Sequence, residues 1–292
     1  MKKILILGGT GFIGRNLINF LNNYKIFILT RKKEKNKNNV KYILGDLNKI
    51  NSFNKKILKL NPDIIVNLYW QDIPNFNKKN SIKNLLNTIN FFELIFQNTN
   101  CKKIINIGSC LEYSNKKGKC KELHETKSYD YFSLSKNTIR EYLSYKCRNQ
   151  KISLIWLRPF YLYGPYQRKE SLIPSLIDKC TSSDKIIFKN NTSKLDFIHV
   201  YDLCDAIMKF IKLKKNTVEV FNIGSGKSIS INKIVMKVVK KYFNSHKLIF
   251  QNYFKNDSIN FYSDNSKVKK YINWEPKKSI DDGINQTINF RK

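Results

Sequence analysis

Acidic residues are scarce in this chain. Only 22 Asp and Glu stand against 54 Lys and Arg among 292 residues, a formal net charge of +32. That balance favours an anionic partner such as nucleic acid, a membrane surface or a phosphorylated ligand. The lysines are spread over the whole length, among abundant Asn and Ile. No basic motif interleaved with aromatics stands out, so the charge reads as a solvated surface and no nucleic-acid partner is expected. Long apolar runs are also lacking. None approaches the roughly 20 residues needed to cross a bilayer. The short run after Lys2-Lys3 stops at Leu7, in glycines that have their own use, which argues against a secretory leader. The six cysteines (Cys101, Cys110, Cys120, Cys147, Cys180, Cys204) contain no Cys-x-x-Cys pair, and His124, His199 and His246 are isolated. Reduced thiols, a cytoplasmic location and no structural metal are expected. There are no internal repeats, and the lysine- and asparagine-rich stretch 32–39 reads as a surface loop.

The richest stretch is the first fourteen residues. Lys3-Ile4-Leu5-Ile6-Leu7 has the length of a buried parallel strand. Gly8-Gly9-Thr10-Gly11-Phe12-Ile13-Gly14 follows, and from Phe12 a helical pattern runs through Ile13, Leu17 and Leu21. A strand, a glycine turn and a helix start together form a pyrophosphate site, because unpaired N–H groups and the helix dipole face the anion. Gly8, Thr10, Gly11, Phe12, Ile13 and Gly14 are therefore expected to hold a dinucleotide.

Further apolar runs at 25–29, 40–44, 63–68, 103–107 and 152–157 alternate with helical patterns, the longest at 80–98 with Ile82, Leu85, Leu86, Ile89, Phe92 and Phe96 on one stripe. This is the pattern of a doubly wound, Rossmann-like α/β parallel sheet, in which ligands bind beyond the carboxyl ends of the strands. Leu68, Asp46 and Leu47 follow strand ends and are expected beside the cofactor. Asp46 reads equally as a cap. At the end of the second strand, an acid would bond the ribose 2′-hydroxyl of NAD. Thr30 holds that place here and Arg31 follows. A carboxylate about 4 Å from a phosphate charge would cost on the order of 4 kcal/mol at an effective dielectric of ~20, so its absence beside Arg31 favours NADP. Ser109 and Cys110 end the fifth strand, where chemistry is expected. Beyond 158–165, which is punctuated by proline and glycine, the alternation loosens. The expected division is a cofactor domain at 1–162 and a smaller mixed α/β substrate domain at 163–292, with segments near 195–225 returning to the first domain's sheet.

The order of these motifs resembles the extended short-chain dehydrogenase/reductases, the NAD-dependent epimerase/dehydratase family of nucleotide-sugar enzymes. The resemblance rests on 8–14, Gly45-Asp46-Leu47, Ser109-Cys110-Leu111-Glu112-Tyr113, Arg158-Pro159 through Tyr163-Gly164-Pro165, Asp196-Phe197-Ile198-His199-Val200, Asn222-Ile223-Gly224-Ser225-Gly226 and Asn273-Trp274-Glu275-Pro276. It covers nearly the whole chain. It implies hydride exchange between a nicotinamide and a sugar carbon, a nucleotide-sugar substrate and a homodimer. It also implies a Ser/Thr, Tyr, Lys machinery, with Tyr and Lys four apart on one helix face. An adjacent ammonium lowers a phenol's pKa, so the phenol can move a proton. Tyr69, Cys110, Tyr163 and Lys194 are the residues expected to meet the substrate.

Two departures stand out. Lys136 and Ser135 fit the helix motif, but Phe132 occupies the tyrosine position and cannot carry a proton. Losing a general acid typically costs about 10²–10⁴-fold. Tyr131 can take over after a local shift, a group near Ser109, Glu112 or Tyr113 can supply the proton, or the protein binds its ligands without turnover. Leu195 stands where the family often carries a diphosphate-binding Arg, with Lys194 adjacent. The expected activity is reduction of a 4-keto-6-deoxy nucleotide sugar by NADPH, with Ser109, Lys136 and Tyr131 as catalytic candidates and Lys136, by the same resemblance, also holding the nicotinamide ribose. A 4-epimerase using NAD, a dinucleotide-binding regulatory protein and an RNA-binding relative are the alternatives.

Overall fold

Short, wholly apolar runs form the central strands. Ile4–Leu7 and Ile64–Val66 are almost completely buried, as strands covered on both faces must be. The computed structural model describes residues 1–114, 117–182, 185–189, 192–242, 247–251 and 259–291; His246 lies outside them. Strands β1 (Lys3–Leu7), β2 (Lys25–Thr30), β3 (Val40–Leu44), β4 (Ile64–Asn67), β5 (Lys103–Ile107), β6 (Ser153–Pro159) and β7 (Val218–Ile223) form one sheet. Their order is β7-β6-β5-β4-β1-β2-β3, and the neighbours from β6 to β3 pair in parallel. Helices α1 (Phe12–Leu17), α2 (Asn54–Leu60), α3 (Lys78–Asn98) and α4 (Tyr131–Asn149) connect the strands. The doubly wound, Rossmann-like sheet expected from the alternation is present, and it reverses direction between β1 and β4, where such sheets open a ligand crevice.

The chain divides into two compact units. One holds Met1–Asn115, Leu123–Arg158 and Cys204–Phe221, and the other Lys116–Glu122, Pro159–Leu203 and Asn222–Lys292. Two details of the first unit differ from the sequence pattern. α1 spans six residues and tightens into a 3-10 turn at Ile18–Phe20. In α3 the buried stripe coincides with the expected apolar one only at Phe92 and Phe96. Leu86 is 52% exposed, while Ser81, Asn84, Asn87 and Thr88 are buried with Phe91, Phe92, Ile95 and Phe96. The polar half of that stripe meets loops instead of the hydrophobic core, and hydrogen bonds replace apolar packing. Asn84 Oδ1 accepts from Gln71 N (2.8 Å), Ser81 Oγ donates to Phe76 O (3.2 Å), and Asn87 Nδ2 donates to Asn48 Oδ1 (2.9 Å) and Tyr69 Oη (3.0 Å).

In the second unit, Ile229–Ser230, Lys194–Leu195, Asn260–Ser263 and Lys117–Cys120 form a four-stranded sheet in that order. Tyr161–Tyr163 pairs with Phe197–His199, and Lys185–Lys189 with Lys247–Gln251, both in parallel. Two carboxylates tie this unit together. Buried Asp196 accepts from Ser225 N (2.6 Å) and Oγ (2.5 Å), Gly226 N (3.1 Å), and Ser263 N (2.9 Å) and Oγ (2.7 Å). Asp202 accepts from Lys277 N (2.9 Å) and Lys278 N (3.2 Å), and its carbonyl accepts from the Trp274 indole (3.1 Å). Asp196 thus joins the motif 196–200 to 222–226, and Asp202, two residues further on, holds the segment 274–278.

Candidate functional site

At the carboxyl end of β1 the chain turns on Gly8, which has φ +73°. A Cβ there would stand 2.8 Å from Leu68 O, and one at Gly14 would stand 2.4 Å from Gly9 Cα. Only glycine allows this turn to press against both the end of β4 and the start of α1. Gly11 N–H donates to Gly8 O (3.0 Å), and no side chain caps α1. Beside the turn lies a cavity of ≈ 340 Å³ lined by Gly8, Thr10, Gly11, Phe12, Ile13, Thr30, Arg31, Leu47, Leu68, Tyr69 and Trp70. Eight of the expected cofactor residues are brought together here, while Gly14, Asp46 and Lys136 lie outside the lining; an uncapped helix start with close-packed glycine backbone suits a dinucleotide's pyrophosphate. The lining contains Arg31, and its one carboxylate is Asp72. Asp46 serves as a cap: its Oδ1 accepts from Asn48 N (3.0 Å), and its neighbours Gly45 and Leu47 face the cavity. Tyr69 lines this same cavity, its hydroxyl accepting from Asn87, and burial pushes its phenol up to about 12.

The end of β5 carries the second group. Ser109 opens a 3-10 turn, Cys110–Glu112, through a capping box. Its Oγ accepts from Leu111 N (3.1 Å), and its N–H donates to Glu112 Oε1 (2.8 Å). Glu112 is fully buried, and it also accepts from Trp156 Nε1 (3.1 Å) and Arg158 Nε (2.8 Å). Arg158 in turn stacks on the ring of buried Tyr113 at 4.5 Å. Glu112 and Tyr113 are thus occupied internally. Cys110 is buried, as are the other five cysteines, and none of the six is in a disulfide.

Lys136 projects from α4 and donates to Ile107 O (2.8 Å). Its ammonium sits 4.4 Å from the Trp70 ring and 5.7 Å from the Phe132 ring. Phe132 is held edge-on by Trp70 (4.9 Å) and against Phe76 (4.4 Å). Burial pushes the lysine down from 10.5 to about 8, opposed by the charge of Glu112. Trp70 and Phe76 were not singled out from the sequence. For Trp70 the available signal was its place just past the end of β4; Phe76 lies in a loop and gave none. Tyr131 is the first residue of α4 and 42% exposed. Five residues from Lys136 in a helix, it points roughly 140° away.

In the second unit, Lys194, Lys227, Lys233, Lys237, Lys277 and Lys278 line a cavity of ≈ 750 Å³ together with Phe197, Ile229 and four serines. No carboxylate belongs to the lining, and Asp281 reaches Lys237 from outside it (2.7 Å). Tyr163 is buried against His199, with ring centroids 5.2 Å apart. His199 accepts from Tyr201 N at Nδ1 (3.3 Å) and is pushed down to about 4 by burial, so it is neutral near pH 7. Among the described residues no His, Cys, Asp and Glu cluster is arranged to hold a metal, and no helix is long and apolar enough to cross a membrane.

The family model for the NAD dependent epimerase/dehydratase family matches residues 4–224. The chain belongs to that family. Its relatives in the family include dTDP-4-dehydro-6-deoxyglucose reductase of Escherichia coli, 26% identical over 98% of this chain and 96% of the relative. Another is GDP-6-deoxy-D-talose 4-dehydrogenase of Aggregatibacter actinomycetemcomitans, 30% identical over 80% of this chain and 77% of the relative. Among solved structures, a tyrosine-to-phenylalanine variant of Bacillus cereus UDP-glucuronic acid 4-epimerase, in complex with a 4-deoxy-4-fluoro analogue of UDP-glucuronic acid and NAD, shares the fold. It superposes with a TM-score of 0.84 at 23% identity and covers 99% of this chain and 98% of its own. Members of the family are NAD(P)-dependent enzymes acting on nucleotide sugars.

Proposed function

We propose that this epimerase/dehydratase family member is a reductase of 4-keto-6-deoxy nucleotide sugars that uses NADPH. The observation that carries the reading is the cavity at the ends of β1, β2 and β4. It combines the glycine turn with Arg31, and Thr30 in place of a ribose-binding acid. Gly8, Thr10, Gly11, Phe12, Ile13 and Gly14 would hold the pyrophosphate, Arg31 the 2′-phosphate, and Leu47, Leu68 and Tyr69 the cavity walls. Asp46 fixes the turn that carries Leu47. When bound, the nicotinamide supplies the hydride for the sugar carbonyl. Two relatives named for action at position 4 of 6-deoxy sugars support this reading, and relatives named as 4-epimerases support epimerisation with NAD as the alternative.

On this reading Ser109 donates its hydroxyl proton to the sugar oxygen as the carbonyl becomes an alcohol, and solvent restores that proton. Lys136 supplies positive charge at the end of β5, which favours the developing negative oxygen. Tyr131 requires a rearrangement of the first turn of α4 to take part. Lys194 and the lysines around it suit a diphosphate. Cys110 and Tyr163, expected to meet the substrate, are buried and line neither cavity. Two such chains are expected to form a homodimer in the cytoplasm.

Phe132 supports a second reading, in which the protein binds cofactor and nucleotide sugar without turnover. The test is NADPH consumption with a panel of 4-keto-6-deoxy nucleotide sugars, comparing wild type, Phe132→Tyr and Lys136→Ala. Turnover in wild type that Lys136→Ala abolishes supports the reductase. Turnover in Phe132→Tyr alone supports the binder. NADPH binding with no turnover in any of them refutes the reductase.

A further inference from the structure

We infer that Glu112 is a positioning residue for Ser109, fixing the direction in which the serine hydroxyl can give its proton. This rests on the reading above, in which Ser109 faces the substrate. The geometry is specific. Ser109 Oγ spends an acceptor site on Leu111 N–H, while its own N–H is held by Glu112. Among the described residues, nothing accepts the Ser109 hydroxyl proton, so that proton is left to a ligand.

Glu112 is itself over-determined. Both of its oxygens take the Trp156 indole N–H at 3.1 Å, and Oε2 takes Arg158 Nε at 2.8 Å. Arg140 Nε stands 3.9 Å from Oε2. Trp156 and Arg158 belong to β6, which pairs with β5 in register. The rigid sheet is thereby coupled through one carboxylate to the turn that carries Ser109. The packing around the carboxylate is tight as well: a Cβ on Gly108 would come within 2.3 Å of Glu112 Oε1 and 2.2 Å of Trp156 Nε1. A charged acceptor takes stronger hydrogen bonds than a neutral one, so an amide of the same shape holds the turn less firmly.

The test is a double-mutant cycle with Ser109→Ala and Glu112→Gln, each checked for folding by circular dichroism and NADPH binding. Glu112→Gln is expected to lower kcat about 10–100-fold while KM for NADPH stays within about twofold, and the double variant to lose no more than Ser109→Ala alone. Independent, multiplying losses, or an unchanged kcat in Glu112→Gln, would overturn the inference. If Glu112→Gln leaves Arg158 unpaired and fails to fold, Glu112→Gln with Arg158→Gln removes the charge pair, and the cycle is run on that background. If wild type shows no turnover, the reductase reading fails separately. The same cycle is then run on dTDP-sugar affinity by calorimetry, where the loss in Glu112→Gln must again vanish on the Ser109→Ala background.

Discussion

Replacing Lys136 with methionine should give a stability difference that depends on pH in a direction set by burial. The unfolded lysine holds its proton up to 10.5, while the folded one releases it near 8. A fall of that size corresponds to about 3 kcal/mol of cost to the folded state, fully present below the folded pKa and gone once the unfolded lysine also deprotonates. The natural protein therefore gains stability from this group as pH rises through that window. Opposing terms come from the Trp70 face, at ~1–2 kcal/mol, and the Ile107 carbonyl, at ~1 kcal/mol, both of which methionine forfeits. Near pH 7 the two proteins should thus differ by no more than about 1 kcal/mol, and by ~pH 9.5 the balance should have moved about 2 kcal/mol towards wild type. Urea unfolding of both proteins at the two pH values reads the difference directly. A gap that does not change with pH would refute the argument that the ammonium is carried at a cost inside its aromatic cage.

Gly8→Ala should cost roughly 1–3 kcal/mol and abolish NADPH fluorescence enhancement, because the new methyl group meets Leu68 O at a φ that alanine resists. Arg31→Asp should weaken NADPH at least about tenfold and leave NADH less affected, read as the ratio of the two dissociation constants. Asp196→Asn should lower unfolding stability by roughly 2–4 kcal/mol, since an amide cannot accept all the N–H and O–H groups converging on that carboxylate; the midpoint of urea denaturation measures it.

The sheet was legible because its strands are buried on both faces and so appear as unbroken apolar runs; β1, β3 and β5 fall on the expected residues. The glycine turn was legible because a left-handed φ and crowding at β4 leave glycine as the one residue that fits. Less legible was α3, where buried Ser81 and Asn84 bond loop backbone and Asn87 bonds the side chains of Asn48 and Tyr69, positions that carry no apolar signal. The strands at Lys117–Cys120 and Lys185–Lys189 are short and half polar, and give little alternation. At the candidate site, Phe132 could be seen as a missing phenol, but not its packing between Trp70 and Phe76. That contact joins α4 to the distant loop between β4 and α3. The burial of Glu112 was not legible either, because it depends on Arg158 and Trp156, which lie more than forty residues away.

The lysine-lined cavity of the second unit is framed by two carboxylates that hold main-chain N–H groups. Asp196 grips the N–H groups of Ser225 and Gly226, and Asp202 those of Lys277 and Lys278, so no lysine side chain is required to keep its walls apart. Architecture and selectivity are therefore carried by different atoms. Lys194, Lys227 or Lys233 can be exchanged for another residue without disturbing that frame, which leaves the choice of anion open to stepwise change by mutation while the fold stays fixed.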